Sequence, residues 1–282
     1  VKSGETDLLY LSPETLLSYS IETLIGNREI GLIIIDEAHI VTTWGVGFRP
    51  DYWYLGSYIN RLRSQIQTKY NKNKKVMHFP ICAFTATAVS GGIDDSVSET
   101  IISLYMENPI KYIGYVKRDD IVFDINIKSP TKLRNPEYEE KKATDLIARI
   151  NGWIDAQEKT IAYFPYASYA GDAYKGIKSF SGKNFERNKV AIYTGKNLDE
   201  QSAAVVADNK RKAFEAFRSG EKPVMLATKA FGMGVDIDDI ANVYHYTVTG
   251  NLSDYVQEIG RAARQPGMTG CAITDYYYND IS

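Results

Sequence analysis

Two carboxylates close an apolar run. Gly31-Leu32-Ile33-Ile34-Ile35 is followed at once by Asp36-Glu37, with His39 close behind. A continuous apolar run of this length suits a parallel strand buried on both faces of a sheet. The crevice beyond the C-terminal ends of such strands is where open α/β sheets hold ligands. Hydrolysis of a nucleotide needs an acid there to hold Mg²⁺ and a group that orients water. On that chemistry Asp36 holds the metal through water. Glu37 borders the metal and addresses the attacking water, and His39 links the site to a second domain.

A second apolar run, Val224 to Ala227, stops at Thr228-Lys229. It enters a turn punctuated by Gly232 and Gly234 and carrying the carboxylate of Asp236. Glycines there let backbone approach a ligand or take positive φ. Further on, Gln257, Arg261 and Arg264 recur at i, i+4 and i+7, the spacing of one helix face. Leu252, Val256, Ile259 and Ala263 supply the opposite, buried side, and Ser253 is placed as N-cap. Two arginines on one polar face suit phosphate oxygens. A third run, Pro80 to Phe84, reads as another buried strand. It delivers Thr85-Ala86-Thr87, two hydroxyls able to bridge the acids to another domain. The stretch from Thr42 to Tyr52 holds Trp44, Phe48 and Arg49 with a period of neither 2 nor 3.6, the mark of a loop. Aromatics beside an arginine are the ingredients of a stacking platform for bases. The alternative is a loop tucked under hydrophobic anchors.

These groups need elements to position them. Residues 7–14 read as a short strand entering a helix that Pro13 starts, with Ser12 ahead of it. Trp53 to Tyr70 has helical spacing, and 90–118 read as the last helix and strand of a first domain. Lys117-Arg118-Asp119-Asp120 opens the crossing to a second, and Ser129 to Tyr138 reads as a loop. A helix follows from Glu139 to Ala156. Strands are predicted at 160–164, 190–193, 224–227, 243–248 and 271–278. A helix over 203–217 is stopped by Gly220. Strand-helix alternation predicts an α/β fold with a mostly parallel sheet.

Composition narrows the class. The 282 residues are 44% hydrophobic and 24% charged, an ordinary globular balance that allows one or two domains. The net charge of −2 excludes a bulk polyanion binder, so any nucleic-acid contact must be a local patch. Cys82 and Cys271 are too few for a four-cysteine zinc site or a disulfide framework.

Taken in order, Asp36-Glu37-Ala38-His39, the 227–236 turn and the 257–264 segment resemble motifs II, V and VI of superfamily 2 helicases. The wording Ala-Thr-x-Ala-Phe-Gly-Met-Gly-x-Asp at 227–236 is similar to the RecQ family in particular. Ser12-Pro13 looks like motif Ib, which contacts the nucleic-acid backbone, although the residues alone describe an ordinary helix start. Thr85-Ala86-Thr87 looks like motif III. Trp44, Gly45, Phe48 and Arg49 match the aromatic-rich RecQ loop that senses DNA, with Val46-Gly47 standing where the family has His-Asp.

The resemblance implies a fold of two RecA-like domains: residues 1–118, truncated at the N-terminus, and residues 119–282. It implies ATP and Mg²⁺ as cofactors, with Arg264 as arginine finger, Arg261 as its partner at the γ-phosphate, and Gln257 among the catalytic residues. Thr85, Thr87, Gly234 and Asp236 would line the nucleotide. Ser12, Pro13, Trp44, Phe48, Arg49, Thr228 and Lys229 would meet nucleic acid or couple it to the ATP site. The implied activity is a 3′–5′ DNA helicase on single-stranded or forked DNA, in the cytoplasm or nucleus, with other subunits of a DNA-processing complex as further partners. No G-x-x-x-x-G-K-[ST] occurs. The family places that phosphate loop before motif Ib, so this chain alone is expected to lack ATPase activity. The rival readings are a translocase or remodelling ATPase that does not unwind, and a non-catalytic nucleic-acid-binding or scaffold piece.

Overall fold

The computed structural model describes residues 1–43, 50–71, 79–91, 95–114, 117–195, 202–232 and 236–280. The chain divides into two units, Val1–Gly114 and Tyr115–Ser282, slightly ahead of the expected division after residue 118.

In the first unit the helices are α1 (Pro13–Ser18), α2 (Ile21–Ile25), α3 (Ile40–Thr43), α4 (Pro50–Asn71) and α5 (Ser96–Ser103). The strands are β1 (Ile33–Ile35) and β2 (Ile81–Ala83). They pair in parallel, Ile33 opposite Ile81 and Ile35 opposite Ala83. Helix α1 starts as expected: Pro13 occupies the first turn, and the Ser12 hydroxyl accepts from the Thr15 N–H. Leu55, Ile59 and Leu62 of α4, spaced for one face, pack with Ile35, Ala38, Val41, Phe79 and Leu104.

Four expectations fail here. Residues 7–12 form no strand; Arg28 ties this segment by side chain instead, through Asp7 and the Thr6 carbonyl. The 31–35 run is not buried on both faces, since Ile34 is 55% exposed while Ile35 is buried. Successive side chains alternate across a strand, and among the described residues the core of this unit packs on the Ile35 side. The 80–84 run is not fully buried either, since β2 is half-buried along its length. No strand occurs among the described residues 104–114.

The second unit is a six-stranded, all-parallel sheet in the order β3-β8-β7-β4-β6-β5. Its strands are β3 (Ile121–Ser129), β4 (Thr160–Tyr163), β5 (Val190–Tyr193), β6 (Val224–Ala227), β7 (Asn242–His245) and β8 (Gly270–Tyr277). Its helices are α6 (Asn135–Asp155), α7 (Ala167–Lys175), α8 (Ala203–Arg218) and α9 (Leu252–Ile259). Strands β4, β6 and β7 are buried throughout. One core sets Leu146, Ile150 and Trp153 of α6 against Leu226, Tyr244 and Ile273. The other sets Phe217 of α8 and Ile259 of α9 against Ile161, Met225, Val243 and Ala272.

Helix α8 ends as its sequence indicates, with Gly220 at φ +79 just beyond the cap. Helix α6 begins at Asn135, inside the expected loop. Pro136 in its first turn forfeits no helical hydrogen bond, so the proline that suggested a loop is a helix opener. Strand β3 was not expected, although Phe123, Ile125 and Ile127 alternate with polar residues. These three are exposed, and the alternate positions face Arg149 and the buried Asp275.

Candidate nucleotide and nucleic-acid site

In the first unit the acid pair sits where β1 ends. The Asp36 carboxylate accepts from the Glu37 N–H at 2.9 Å and is exposed. Glu37 takes φ +48, a left-handed conformation that costs an L-residue about 1–2 kcal/mol. The next N–H, of Ala38, donates to the Phe84 carbonyl at the end of β2, which pins the turn. His39 is 5% exposed; its Nδ1 lies 2.8 Å from the Thr85 hydroxyl and 3.4 Å from Glu37. The Thr85 hydroxyl also accepts from the Thr87 N–H. The 36–39 and 85–87 segments are thereby joined through one imidazole. Both of these His39 contacts lie within its own unit.

In the second unit the arginines leave the helix. Helix α9 ends at Ile259, capped by Gly260, and Ala263 at φ +52 turns the chain. Arg261 and Arg264 therefore sit on a turn, and the i, i+4, i+7 face ends after Gln257. Leu252 and Val256 are exposed, against expectation. The side that packs carries Tyr255, Glu258 and Ile259, with Glu258 bonded to the buried His245 of β7 at 2.9 Å. The N-cap is Asn251, whose side chain accepts from the Asp254 N–H, in place of Ser253.

The turn is gripped from several sides. Ala263 N–H donates to the Ile240 carbonyl, and Arg264 and Gln265 N–H groups to that of Asp238. Gly270 lies beneath it: a Cβ there would come within 2.8 Å of the Ala262 methyl. Burial and the neighbouring Arg261 charge lower the pKa of the Arg264 guanidinium, and Asp236 opposes them. Arg264 Nε donates to the Gly260 carbonyl at 3.2 Å. Tyr163 of β4 lies against Arg261; burial pushes its phenol well above the ordinary range, and the arginine pulls the other way. Gly232 brings the 228–232 turn close, for a Cβ there would lie 3.6 Å from the Arg261 guanidinium.

The structure thus brings Asp236, Arg261, Arg264 and Gly232 together, and separately Asp36, Glu37, His39, Thr85 and Thr87. Thr228 accepts from the Gly195 N–H, and Lys229 pairs with Asp254 in the first turn of α9. Trp44, Phe48, Arg49 and Gly234 lie outside the described residues. Sequence reasoning gave no site role to Tyr163 or His245, and placed Arg118 only at the crossing between domains, whereas its guanidinium reaches the carbonyls of the arginine turn. Glu258 stood inside the 257–264 segment, but Tyr163 and His245 carry no local pattern. Among the described residues no group of three or more His, Cys, Asp or Glu could hold a metal. Mg²⁺ does not require one, since one or two carboxylates suffice when phosphates and water complete its shell.

Parallel strands flanked by helices, with acids beyond a strand end in the first unit and paired arginines on a turn in the second, make a RecA-like α/β fold. Residues 141–265 match the helicase conserved C-terminal domain. Solved structures share the fold: Mss116p bound to single-stranded RNA and AMP-PNP has a TM-score of 0.66 at 17% identity, over 94% of this chain and 47% of that one. Dbp5 of S. cerevisiae bound to RNA and ADP BeF3 has a TM-score of 0.61 at 17% identity, over 94% and 58%.

In sequence the chain is RecQ-like. It is 30% identical to the ATP-dependent helicase SGS1 of Saccharomyces cerevisiae over 99% of its own length and 17% of the relative's. It is 29% identical to the probable ATP-dependent DNA helicase RecS of Bacillus subtilis, over 91% and 43%. It is 28% identical to the ATP-dependent DNA helicase RecQ of Pasteurella multocida, over 93% and 34%. The chain spans less than half the length of each of these relatives.

Proposed function

We propose that this chain is the motor core of an ATP-dependent DNA helicase of RecQ type, in which hydrolysis drives 3′–5′ translocation on single-stranded DNA and separates strands at a fork. One observation carries the reading above the others. His39 is hydrogen-bonded to Thr85 while lying 3.4 Å from Glu37, so a buried imidazole ties the acid pair to the threonine segment. A change at either segment is then felt at the other.

In this reading Asp36 holds Mg²⁺ through water, the remaining ligands being phosphate oxygens and further waters. Glu37 orients the attacking water, and Arg264 and Arg261 neutralise charge developing on the γ-phosphate. Ser12, Pro13, Thr228 and Lys229, with Trp44, Phe48 and Arg49, serve the DNA side. Contacts there go to backbone and to base faces, without sequence readout. The names of the RecQ-like relatives favour DNA as the track.

The test is Glu37→Gln in the whole protein. Turnover of ATP should be abolished, while binding of a non-hydrolysable analogue and of single-stranded DNA persists. A hydrolysis rate near wild type refutes the assignment. The 282-residue chain alone should hydrolyse ATP negligibly, because it holds no phosphate-loop lysine. A strand-displacement assay beside the ATPase assay separates unwinding from translocation alone.

A further inference from the structure

Arg118 stands at the start of the second unit, far in sequence from the arginine turn, yet its guanidinium spans that turn. Nη2 donates to the carbonyls of Ala262 at 2.7 Å and Ala263 at 3.2 Å, and Nη1 to that of Gly260 at 3.4 Å. The same group is held from the other side by Asp120 in a two-pronged pair, Nε at 2.8 Å and Nη2 at 2.8 Å. The last carbonyls of a helix have no partner within it, and a cation at that end is favoured by the helix dipole. Both facts explain a cation here. Neither explains why it reaches past the helix to the carbonyl of Ala263, the residue in the left-handed conformation.

We propose that Arg118 is a positioning residue for the two arginines: by gripping three carbonyls of the 260–263 turn, it fixes the direction in which Arg261 and Arg264 leave the backbone. A left-handed alanine persists only where its surroundings over-determine it. Here the determinants come from both sides. The 238–240 loop accepts the Ala263 and Arg264 N–H groups, and Arg118 supplies donors to the carbonyls. Only a planar fork meets several carbonyls and a carboxylate at once. A lysine is a point charge on a flexible stem and does not fix the directions of its donors. Arg118 also lies near enough to Arg264 for its charge to lower that residue's basicity, and Asp120 offsets this charge.

The proposal rests on the reading that Arg261 and Arg264 act on nucleotide phosphate, and the test separates the two. In the whole protein, Arg118→Lys, Arg118→Ala, Arg264→Ala and Arg118→Ala/Ala263→Gly are compared by steady-state ATPase, thermal melting and single-stranded DNA binding. Arg118→Lys should keep the melting temperature and DNA affinity, leave KM for ATP little changed, and lower kcat by about 10²-fold, the cost of a misplacement on the order of 1 Å. In the double variant, glycine relieves the turn and should restore the melting temperature lost in Arg118→Ala while kcat stays low. An unchanged kcat in Arg118→Lys overturns the proposal. So does a double variant that regains kcat together with its melt, because Arg118 would then be a brace and nothing more. If Arg264→Ala itself leaves kcat intact, the nucleotide reading of the turn fails. If Arg264→Ala is inactive and Arg118→Lys is not, only the role of Arg118 falls.

Discussion

Replacing Asp280 by alanine should destabilise the second unit far more than its place near the chain end suggests. Lys142 and Asp280 form an ion pair in which each side chain is 1% exposed. The ammonium also donates to the Tyr138 hydroxyl at 2.9 Å and lies 4.7, 5.1 and 5.3 Å from the ring centres of Tyr246, Tyr138 and Tyr277. Asp280 in turn accepts from the Tyr138 hydroxyl and the Tyr277 N–H. Burial pushes the lysine pKa down, and Asp280 is the main force holding it up. Removing one partner of such a pair costs about 3–5 kcal/mol, because an uncompensated charge stays buried. Contacts to three aromatic faces remain and soften this, which argues for the lower end, ~3 kcal/mol. At ~2–4 °C per kcal/mol for a unit of this size, the melting temperature should fall by ~6–12 °C. Lys142→Met/Asp280→Leu removes both charges and should melt near wild type. Urea and thermal unfolding of the single and double variants form a cycle that isolates the pair. Two results refute the reasoning: an Asp280→Ala cost below ~1 kcal/mol, or a double variant as unstable as the single one. The pH dependence carries its own sign. With the folded lysine pKa below its unfolded value of 10.5, the unfolded chain holds more protons just under that pH. In Asp280→Ala stability should therefore rise with pH in that window.

Two further outcomes follow from the same structure. Ala263→Gly should stabilise the second unit by ~1 kcal/mol, the left-handed penalty of about 1–2 kcal/mol less the added freedom of the unfolded glycine; a lower melting temperature in this variant would remove the strain argument. Tyr138, Tyr163, Tyr244, Tyr246 and Tyr277 all have phenol pKa values raised above 10, with burial the largest cause. Above pH 10 the unfolded chain loses these protons first, so stability should fall by up to ~1.4 kcal/mol per pH unit for each phenol. Five phenols outweigh one lysine, and melting curves at pH 9 and pH 11 that coincide would refute this.

What was legible in the sequence was what a local pattern encodes. The 190–193 and 224–227 runs are apolar without a break and became strands with those bounds. Ser12 before Pro13 and Gly220 after α8 act as caps through their own chemistry. The candidate site was legible only as residue types, and its geometry was not. Helical spacing carried Gln257, Arg261 and Arg264 onto one face, but spacing cannot see that the helix stops at Ile259. That stop depends on carbonyls of residues 238 and 240 and on Arg118, all brought there by the sheet. His39 had one foreseeable neighbour, Glu37. Its closer bond is to Thr85, which reaches it because β1 and β2 are adjacent parallel strands. Strand β3 did alternate, but its apolar residues face solvent and its polar ones face a buried ion pair, the reverse of the usual pattern.

The acid segment of the first unit and the arginine turn of the second share a device. Each places a residue other than glycine in the left-handed region at or beside a candidate site residue: Glu37 at φ +48 and Ala263 at φ +52. Each turn is then pinned from outside its own element, by the Phe84 carbonyl at Ala38 and by the Ile240 carbonyl at Ala263. The two positions differ in what can be exchanged. At 37 the strained residue is itself the proposed acid, so glycine would relieve the backbone only by deleting the carboxylate. At 263 the side chain is a buried methyl and the proposed acting group belongs to the next residue. Strain at 37 is therefore inseparable from the chemistry, whereas strain at 263 can be removed while Arg264 stays in place. If backbone conformation alone aimed Arg264, Ala263→Gly would loosen that aim and lower kcat. With Arg118 and the 238–240 loop holding the turn from both sides, the glycine variant should gain stability and keep its turnover.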